Sequence, residues 1–316
     1  MSDDEEQRAP KRRRGEPPSA ALPPGAAWHA RFPLAPELRN WLENVGNVLT
    51  EGRVEVVDAP DFQGLRVNGV DGTRVAMVQA QLRAQILTAP GPRSGEIVAT
   101  LGLKLAQASL CLRSARSQDL ADLWAAPDSD AVTLQLTELD NRGGAPKFEL
   151  KTLALPDEEP LDLSGIVYVH AVVVDLGLFQ RAARAGKDHR ASLLTLSLRQ
   201  GASNGWFLVL SFEGPSVRSE FVLPAAADAA GEAPEADVQV IRTDPGLELD
   251  PAALAAATVV YEAAFMLEYL HLFTRTLAAS PLRLFLAPDR PLRVQVGDAT
   301  TEQLLQFYLA PCQQDV

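Results

Sequence analysis

From Trp28 onward, short runs in which apolar and polar residues alternate are separated by turn residues, and this pattern constrains the fold more than any other feature. Alternation with a period of two predicts strands that bury one face. The clearest runs cover residues 54–57, 62–67, 74–86, 132–137 and 148–155.

Helical spacing is confined to a few stretches, two in each half of the chain: residues 36–50, 103–116, 176–186 and 263–277. Many strands with a few separate helices predict an α+β fold. A strand, a helix and a set of antiparallel strands follow one another four times, at intervals of roughly 65 to 85 residues. This order predicts an internal duplication, with similar domains at residues 27–147 and 164–316.

Two segments interrupt this pattern. Residues 150–163, LKTLALPDEEPLDL, hold two prolines and four acidic residues in an otherwise apolar stretch. They predict an extended connector between the domains, over residues 148–163. Residues 224–251 are dominated by Ala, Asp, Glu, Gly and Pro, which predicts a flexible insertion between two strands.

The N-terminal residues 1–26 have almost no large apolar side chains, so they cannot offset the entropy of folding, and we expect a disordered tail. The tail contains a compact basic run of the kind that nuclear import receptors or phosphates attract. A simple solvated charge run is the alternative interpretation. The run consists of Lys11, Arg12, Arg13 and Arg14.

The net charge of −12 means that any affinity for nucleic acid must come from a local basic surface. Cys111 and Cys312 lie far apart in apolar contexts, so we expect free thiols and a reducing compartment. No apolar stretch approaches the roughly 20 residues that a membrane-spanning helix needs. We therefore expect a soluble intracellular protein with no membrane partner.

Enzyme and metal-site motifs are missing from the sequence, which has no P-loop, GxSxG, GxGxxG or CxxC pattern. The histidines form no pair at i, i+4, so we expect no metal site, no cofactor and no catalytic residues. One acidic cluster lies in the connector, where solvation is expected and a nuclease site is a remote alternative. The residues concerned are His29, His170, His189 and His271, and Asp157, Glu158, Glu159 and Asp162.

Several motifs occur in a distinctive order. Near the C-terminus they are FMLEYLHLFTR at 265–275, Pro291-Leu292 and FYLAP at 307–311. Upstream they are GVDGTRVAMV at 69–78 followed by Leu82-Arg83, GLKL at 102–105 and FELK at 148–151. Together they resemble the proliferating cell nuclear antigen (PCNA) family of DNA sliding clamps, over nearly everything from Trp28 to Pro311.

The resemblance implies a DNA clamp fold of two similar domains, each with an outer antiparallel sheet and two inner helices. Three such subunits would close head to tail into a homotrimeric ring around duplex DNA, without sequence preference. Residues 131–137 of one subunit would pair with residues 217–223 of the next. A polymerase processivity factor of this kind tethers replication and repair proteins in the nucleus or a viral replication compartment. A heterotrimeric, checkpoint-type clamp and a monomeric DNA-binding processivity factor are the alternatives.

Basic residues in or beside the helical segments are the DNA-binding candidates, because phosphate contacts carry no sequence information and allow sliding. A solvated face or an intramolecular ion pair is the alternative for each one. Where the family commonly has basic residues this chain has Gly46 and Glu268, so we expect a less cationic channel. The candidates are Arg39, Lys104, Arg113, Arg116, Arg181, Arg184, Lys187, Arg190 and Arg275.

In the family, a pocket beneath the connector accepts short peptides with one aliphatic and two aromatic anchors, from the polymerase, the clamp loader and other proteins. Buried aromatic anchors supply most of such binding energy. Arg74 stands where the family often has a histidine, and simple core packing is the alternative for these residues. The matching positions are Val70, Arg74, Val75, Met77, Leu161, Leu163, Pro291, Tyr308, Ala310 and Pro311.

Overall fold

The computed structural model describes residues 21–312, except 91–94, 139–145, 157–160, 162, 164, 202–204, 228–237, 245, 248, 278–280 and 299. In the first half the elements follow the order strand, helix, strands, helix, strands. They are β1 Trp28–Phe32, α1 Ala35–Gly46, β2 Glu51–Asp58, β3 Gln63–Val70, β4 Ala76–Arg83, β5 Gln85–Thr88, β6 Ile97–Lys104, α2 Leu105–Cys111, β7 Leu120–Ala125, β8 Ala131–Thr137 and β9 Lys147–Lys151.

The second half repeats this order with the same number of strands and adds one short helix, α4. Its elements are β10 His170–Val174, α3 Leu176–Asp188, β11 Leu193–Gln200, β12 Gly205–Glu213, β13 Arg218–Ala227, β14 Gln239–Thr243, α4 Pro251–Ala255, β15 Thr258–Met266, α5 Leu267–Thr274, β16 Leu282–Leu286, β17 Leu292–Val296 and β18 Gln303–Leu309. The strands and helices segregate, as in an α+β fold.

Two sheets hold the strands of the described residues. The smaller has the order β5-β1-β7-β8-β9, and the larger has the order β15-β11-β12-β13-β14-β10-β16-β17-β18-β4-β3-β2-β6. Antiparallel pairing of β18 with β4 joins the second half to the first. The pairing of β10 with β14 is parallel, and the other pairs are antiparallel.

Helices α1 and α3 form because their buried residues recur at i, i+3, i+4 and i+7, which places them on one face. Pro36 opens α1, where its missing N–H costs nothing. Asp175 caps α3, with its side chain accepting from the Leu178 amide at 2.9 Å. The buried residues are Leu38, Trp41, Leu42 and Val45 in α1, and Phe179, Ala182, Ala183 and Gly186 in α3.

Four helices form one continuous row in the order α2-α1-α5-α3. Helix α1 packs on α2, and α3 packs on α5. Between the halves, the Asn47 side-chain amide after α1 donates to the Leu272 carbonyl at 3.2 Å and to the Thr276 hydroxyl at 2.8 Å. Beneath the row lies a core shared by both halves. In it the rings of Phe273 and Phe307 stack with their centroids 4.8 Å apart.

The structure differs from the sequence expectations in several elements. Residues 263–266 belong to β15, which pairs with β11 as far as Met266, so α5 begins only at Leu267. Residues 74–86 divide into β4 and β5, which lie in different sheets. Part of the insertion expected at residues 224–251 is regular structure. Residues 224–227 form the end of β13, and β14 pairs with both β13 and β10. Residues 228–237 lie outside the described residues.

The expected subunit-contact strand at residues 131–137 is wrong. Strand β8 is paired on one side with β7 and on the other with β9, so its backbone has no free edge. Residues 148–151, which we assign to the connector, are part of β9 and form the outer strand instead. Ala26, assigned to the tail, is buried, so the ordered part begins before residue 27. The basic run at residues 11–14 lies outside the described residues.

Candidate functional site

Eight of the nine DNA-binding candidates have exposed side chains along the helix row. The exception is Arg39, which is half-buried and whose Nε lies 3.9 Å from Glu43 Oε1 one helical turn away. Its charge is therefore already partly neutralised. The exposed candidates are Lys104, Arg113, Arg116, Arg181, Arg184, Lys187, Arg190 and Arg275. We call these eight residues the cationic row.

Helix α3 carries the densest part of the cationic row. Arg181, Arg184 and Lys187 recur every third residue on the exposed face, opposite the buried face. Arg190 follows the helix in the left-handed conformation with φ 58°. There the Ala191 amide donates to the Gly186 carbonyl at 2.9 Å, which closes the last turn.

The pKa of His271 on α5 is affected by these cations. Partial burial and then the positive charges of Lys187, Arg275 and Arg184 lower the pKa of His271, and Asp188 opposes them. Three cations from α3 and the end of α5 therefore act on one point of the surface. Such a cluster suits contact with phosphates better than contact with cations.

The first half contributes fewer free cations. Arg116 Nη1 lies 3.6 Å from Glu138 Oε2, although the arginine is largely exposed. Glu37 lies on α1, where partial burial and the nearby Glu302 raise the pKa of its carboxyl. The exposed side of α2 is uncharged and consists of Ala106, Gln107 and Leu110.

A second candidate site lies where β3, β4, β17 and β18 meet. Strand pairing places Met77 opposite both Val70 and Tyr308, and the Ala310 amide donates to the Val75 carbonyl at 3.0 Å. Among the ten predicted residues, Arg74, Leu161 and Ala310 are exposed, Val70, Val75, Leu163, Pro291 and Pro311 are half-buried, and Met77 and Tyr308 are buried. We call the eight accessible residues the peptide surface.

Met77 and Tyr308 fit the core-packing alternative better than an open lining. Met77 is only 3% exposed, and Tyr308 is 6% exposed with its hydroxyl donating to Gln79 Oε1 at 3.1 Å. They form the floor beneath the peptide surface. Substituting either one would therefore alter packing as well as any contact with a partner.

Two residues that shape this site, Asp71 and Tyr168, were not predicted from the sequence. Asp71 is 7% exposed and holds the β3–β4 turn, and its Oδ2 accepts from the Tyr269 hydroxyl of α5 at 2.6 Å. Tyr168 donates to the Pro291 carbonyl at 3.2 Å, beside Val167, which is 74% exposed. The turn sequence at residues 71–74 could have indicated a structural role for Asp71. No sequence pattern indicates its hydrogen bond with Tyr269, because the two residues are 198 positions apart.

The histidines do not assemble a metal site with other side chains in the part of the chain that the structure describes. His29 is buried, with Nε2 at 2.8 Å from Asp122 Oδ1, and Arg31 Nε lies 2.7 Å from the same oxygen. The acidic cluster at residues 157–159 and 162 lies outside the described residues. No helix among the described residues is long and apolar enough to cross a membrane.

No family model matches this chain. Among 333 matching solved chains is the crystal structure of proliferating cellular nuclear antigen from Entamoeba histolytica, with a TM-score of 0.68. The match covers 91% of this chain and 100% of that chain, at 18% sequence identity. The chain therefore has a PCNA-like clamp fold, which confirms the α+β fold that the sequence predicts.

Proposed function

We propose that this chain is a subunit of a DNA sliding clamp, which encircles duplex DNA and tethers replication and repair proteins without catalysing a reaction. The observation that carries the proposal is the row of four helices with exposed cations, set in a clamp fold. Cations facing phosphates bind DNA without sequence preference and release counterions. A ring adds topological linkage, so weak contacts suffice and the protein can slide.

Two free strand edges support ring closure. In β9 the amides of Lys147, Glu149 and Lys151 point away from β8, because the alternate residues make the ladder bonds. In β13 the amides of Arg218, Glu220 and Val222 point away from β12, and β14 pairs only beyond them. Pairing β9 of one copy with β13 of the next would satisfy both edges.

Measuring the mass of the purified chain by light scattering tests the ring. We expect a homotrimer of roughly three chain masses. Loaded onto circular DNA with a clamp loader, the trimer should be retained at high salt and should slide off after the circle is cut. A monomer that binds linear and circular DNA equally would instead favour the monomeric processivity factor. Assembly only with two other proteins would favour a heterotrimeric clamp.

The peptide surface supports a second role, the docking of a polymerase, a clamp loader or another protein through a short aromatic-anchored peptide. Half-buried apolar side chains from both halves meet there, and such a floor suits aromatic anchors. Titrating a fluorescent peptide with one aliphatic and two adjacent aromatic anchors tests this role. Leu163→Ala should weaken binding several-fold and leave the mass of the protein unchanged.

The proposal also places the protein in the nucleus, through the basic run Lys11, Arg12, Arg13 and Arg14. Deleting residues 1–20 should abolish nuclear accumulation and leave assembly unchanged. Unaltered import of the truncated chain would refute this assignment.

A further inference from the structure

The β3–β4 turn presents one arginine in a fixed backbone conformation. Arg74 is exposed and adopts a left-handed φ of 60°, which costs energy for any residue with a Cβ. Its amide donates to the Asp71 carbonyl at 2.9 Å. The strained residue therefore stays in place only because the rest of the turn holds it.

The side chain of Asp71 fixes the turn through hydrogen bonds. Its Oδ1 accepts from the amides of Val75 and Ala76 at 2.9 and 2.7 Å. Its Oδ2 accepts from the Thr73 amide at 3.0 Å, from the Thr73 hydroxyl and from the Tyr269 hydroxyl. Tyr269 belongs to α5 of the second half, so the turn is fixed from both halves of the chain.

Among the described residues, this arrangement leaves the charge of Arg74 without a carboxylate partner. A carboxylate has about four acceptor sites, and five donors already occupy those of Asp71. Within the described residues, no acidic side chain makes an ion pair with Arg74. Arg66, on the neighbouring strand β3, differs because its Nε lies 2.8 Å from Glu55 Oε2.

Apolar surface surrounds this cation. Val70 and Val75 flank the turn, and the Ala310 amide bonds to the Val75 carbonyl, which brings Ala310 and Pro311 alongside. A peptide whose apolar anchors bind this surface would lie next to the Arg74 guanidinium. An unpaired charge at the rim of an apolar site selects a partner of opposite charge and rejects one of like charge.

We infer that Arg74 selects client peptides that carry a carboxylate side chain next to their apolar anchors. This inference rests on the docking role proposed above. The planar guanidinium can bind a carboxylate through two parallel hydrogen bonds, which a histidine or lysine at this position could not reproduce. The apolar anchors then supply affinity, and Arg74 decides among peptides with similar anchors.

The test uses a set of synthetic fluorescent peptides with identical anchors. A single Glu is moved through the non-anchor positions, and Gln, Lys and phosphoserine versions are made at each position. We expect one position at which Glu binds about fivefold more tightly than Gln, with the gain shrinking at high salt. Arg74→Gln should remove this gain, and Arg74→Glu should favour the Lys peptide instead.

Arg66→Gln is the matched control, because its charge is already paired, and it should keep the preference for Glu. Tyr269→Phe removes one of the bonds that fix the turn and should reduce the gain while the Gln peptide still binds. If the Gln peptide binds but Glu gains nothing at any position, the inference is wrong and the docking role stands. A gain with phosphoserine alone overturns the choice of a carboxylate, and no binding of any anchored peptide overturns both.

Discussion

Helices α1 and α3 hold equivalent places in the two halves and bury side chains at the same spacing, yet the charged side chains outside the buried face are net negative on α1 and net positive on α3. On α1, the charged residues are Glu37, Arg39 and Glu43, and the arginine is paired with Glu43. On α3, they are Arg181, Arg184, Lys187 and Asp188. The buried face fixes the place of a helix in the fold, and the exposed face stays free to acquire or lose a function.

The same contrast extends to the partner helices. The exposed side of α2 is neutral, whereas the end of α5 adds Arg275, whose charge acts on His271 together with Arg184 and Lys187. On the proposed function, DNA would therefore run closer to the helices of the second half than to those of the first. The two halves can be tested separately, since each has its own free strand edge, its own helix pair and its own buried histidine.

The largest effect is expected from proline at the free edges. Glu149→Pro in β9 and Glu220→Pro in β13 each remove an outward amide and leave the ladder inside the chain intact. Each should weaken assembly by up to about a hundredfold, because proline cannot donate and the partner carbonyl that is left unsatisfied costs about 1–3 kcal/mol. Light scattering over a dilution series measures the loss.

Glu149→Gln and Glu220→Gln keep the amides and serve as controls that should still assemble. Circular dichroism should show that both proline variants remain folded. A trimer that persists in Glu149→Pro would mean that β9 is not the contact strand, even though β8 has no free edge.

Charge reversal on the helices is expected to have the next largest effect. Changing Arg181, Arg184 and Lys187 to Glu should weaken DNA binding about thirtyfold and flatten its salt dependence, because fewer counterions are released. The matched first-half set is Lys104, Arg113 and Arg116, and its reversal should cost at most about fivefold. Fluorescence anisotropy on short duplex DNA over a salt series measures both.

Equal losses in the two sets would show that the DNA path is centred and that the charge difference between the halves has no functional consequence. Binding of the aromatic-anchored peptide should be unchanged in both sets, because the peptide surface shares no residue with the cationic row.

Buried and exposed features of the chain also differ in how well the sequence predicts them. Helices α1 and α3 are predictable because their buried residues recur at 3.6-residue spacing. Residues 263–266 are mispredicted because a short apolar run is compatible with a buried strand or a buried helix. The pairing of Arg39 with Glu43 was accessible from the i, i+4 spacing, whereas the bond between Asp71 and Tyr269 depends on how the halves pack.

Which strand ends the sheet could not be predicted from the sequence either. Residues 131–137 and 147–151 both alternate as strands do, and no local pattern indicates which one ends the sheet. Only the ladder, in which β8 is paired on both sides, identifies β9 as the free edge. Fold class and the identity of the exposed cations therefore follow from sequence, while the neighbours of a strand do not.

Glycines at the two helix contacts give a smaller, measurable difference. A Cβ on Gly186 in α3 would lie 2.7 Å from a methyl of Leu267, but a Cβ on Gly46 in α1 would lie 3.4 Å from the Leu105 Cβ. Gly186→Ala should therefore destabilise the protein by about 1–3 kcal/mol through overpacking. Gly46→Ala should be neutral or stabilising by at most about 1 kcal/mol, because alanine favours the helix.

Urea unfolding of both variants measures this difference. An equal loss in the two variants would show that the α1–α2 and α3–α5 contacts are equally tight, which would contradict the distances. A gain for Gly186→Ala would mean that Leu267 moves aside at no cost.

The smallest expected effect concerns the buried histidines in the first strands of the two halves. His29 in β1 has a carboxylate partner in Asp122 at 2.8 Å, whereas His170 in β10 lies against Trp206 with ring centroids 5.7 Å apart. Burial lowers the pKa of His170, and a hydrogen bond with Gln239 opposes this only in part. The folded state therefore favours neutral His170, while an unfolded histidine protonates below about pH 6.5.

Because the unfolded state binds the proton more readily, stability should fall as pH drops below about 6.5 and should stop falling below the pKa of folded His170. Above about 6.5 the residue contributes no pH dependence. His170→Asn should remove this slope in urea unfolding measured on both sides of about pH 6.5.

Asp122 affects the stability of the protein at lower pH. Burial would raise the pKa of its carboxyl, but hydrogen bonds from His29 and Arg31 and the charge of Arg31 outweigh burial and hold the pKa below its ordinary value. Its stabilisation is therefore present above about pH 3.9 and is lost as pH falls through the folded pKa. Asp122→Asn should remove only this pH dependence in the acid range. If His170→Asn leaves the slope near pH 6 intact, the pH dependence arises elsewhere and the burial of His170 is not its cause.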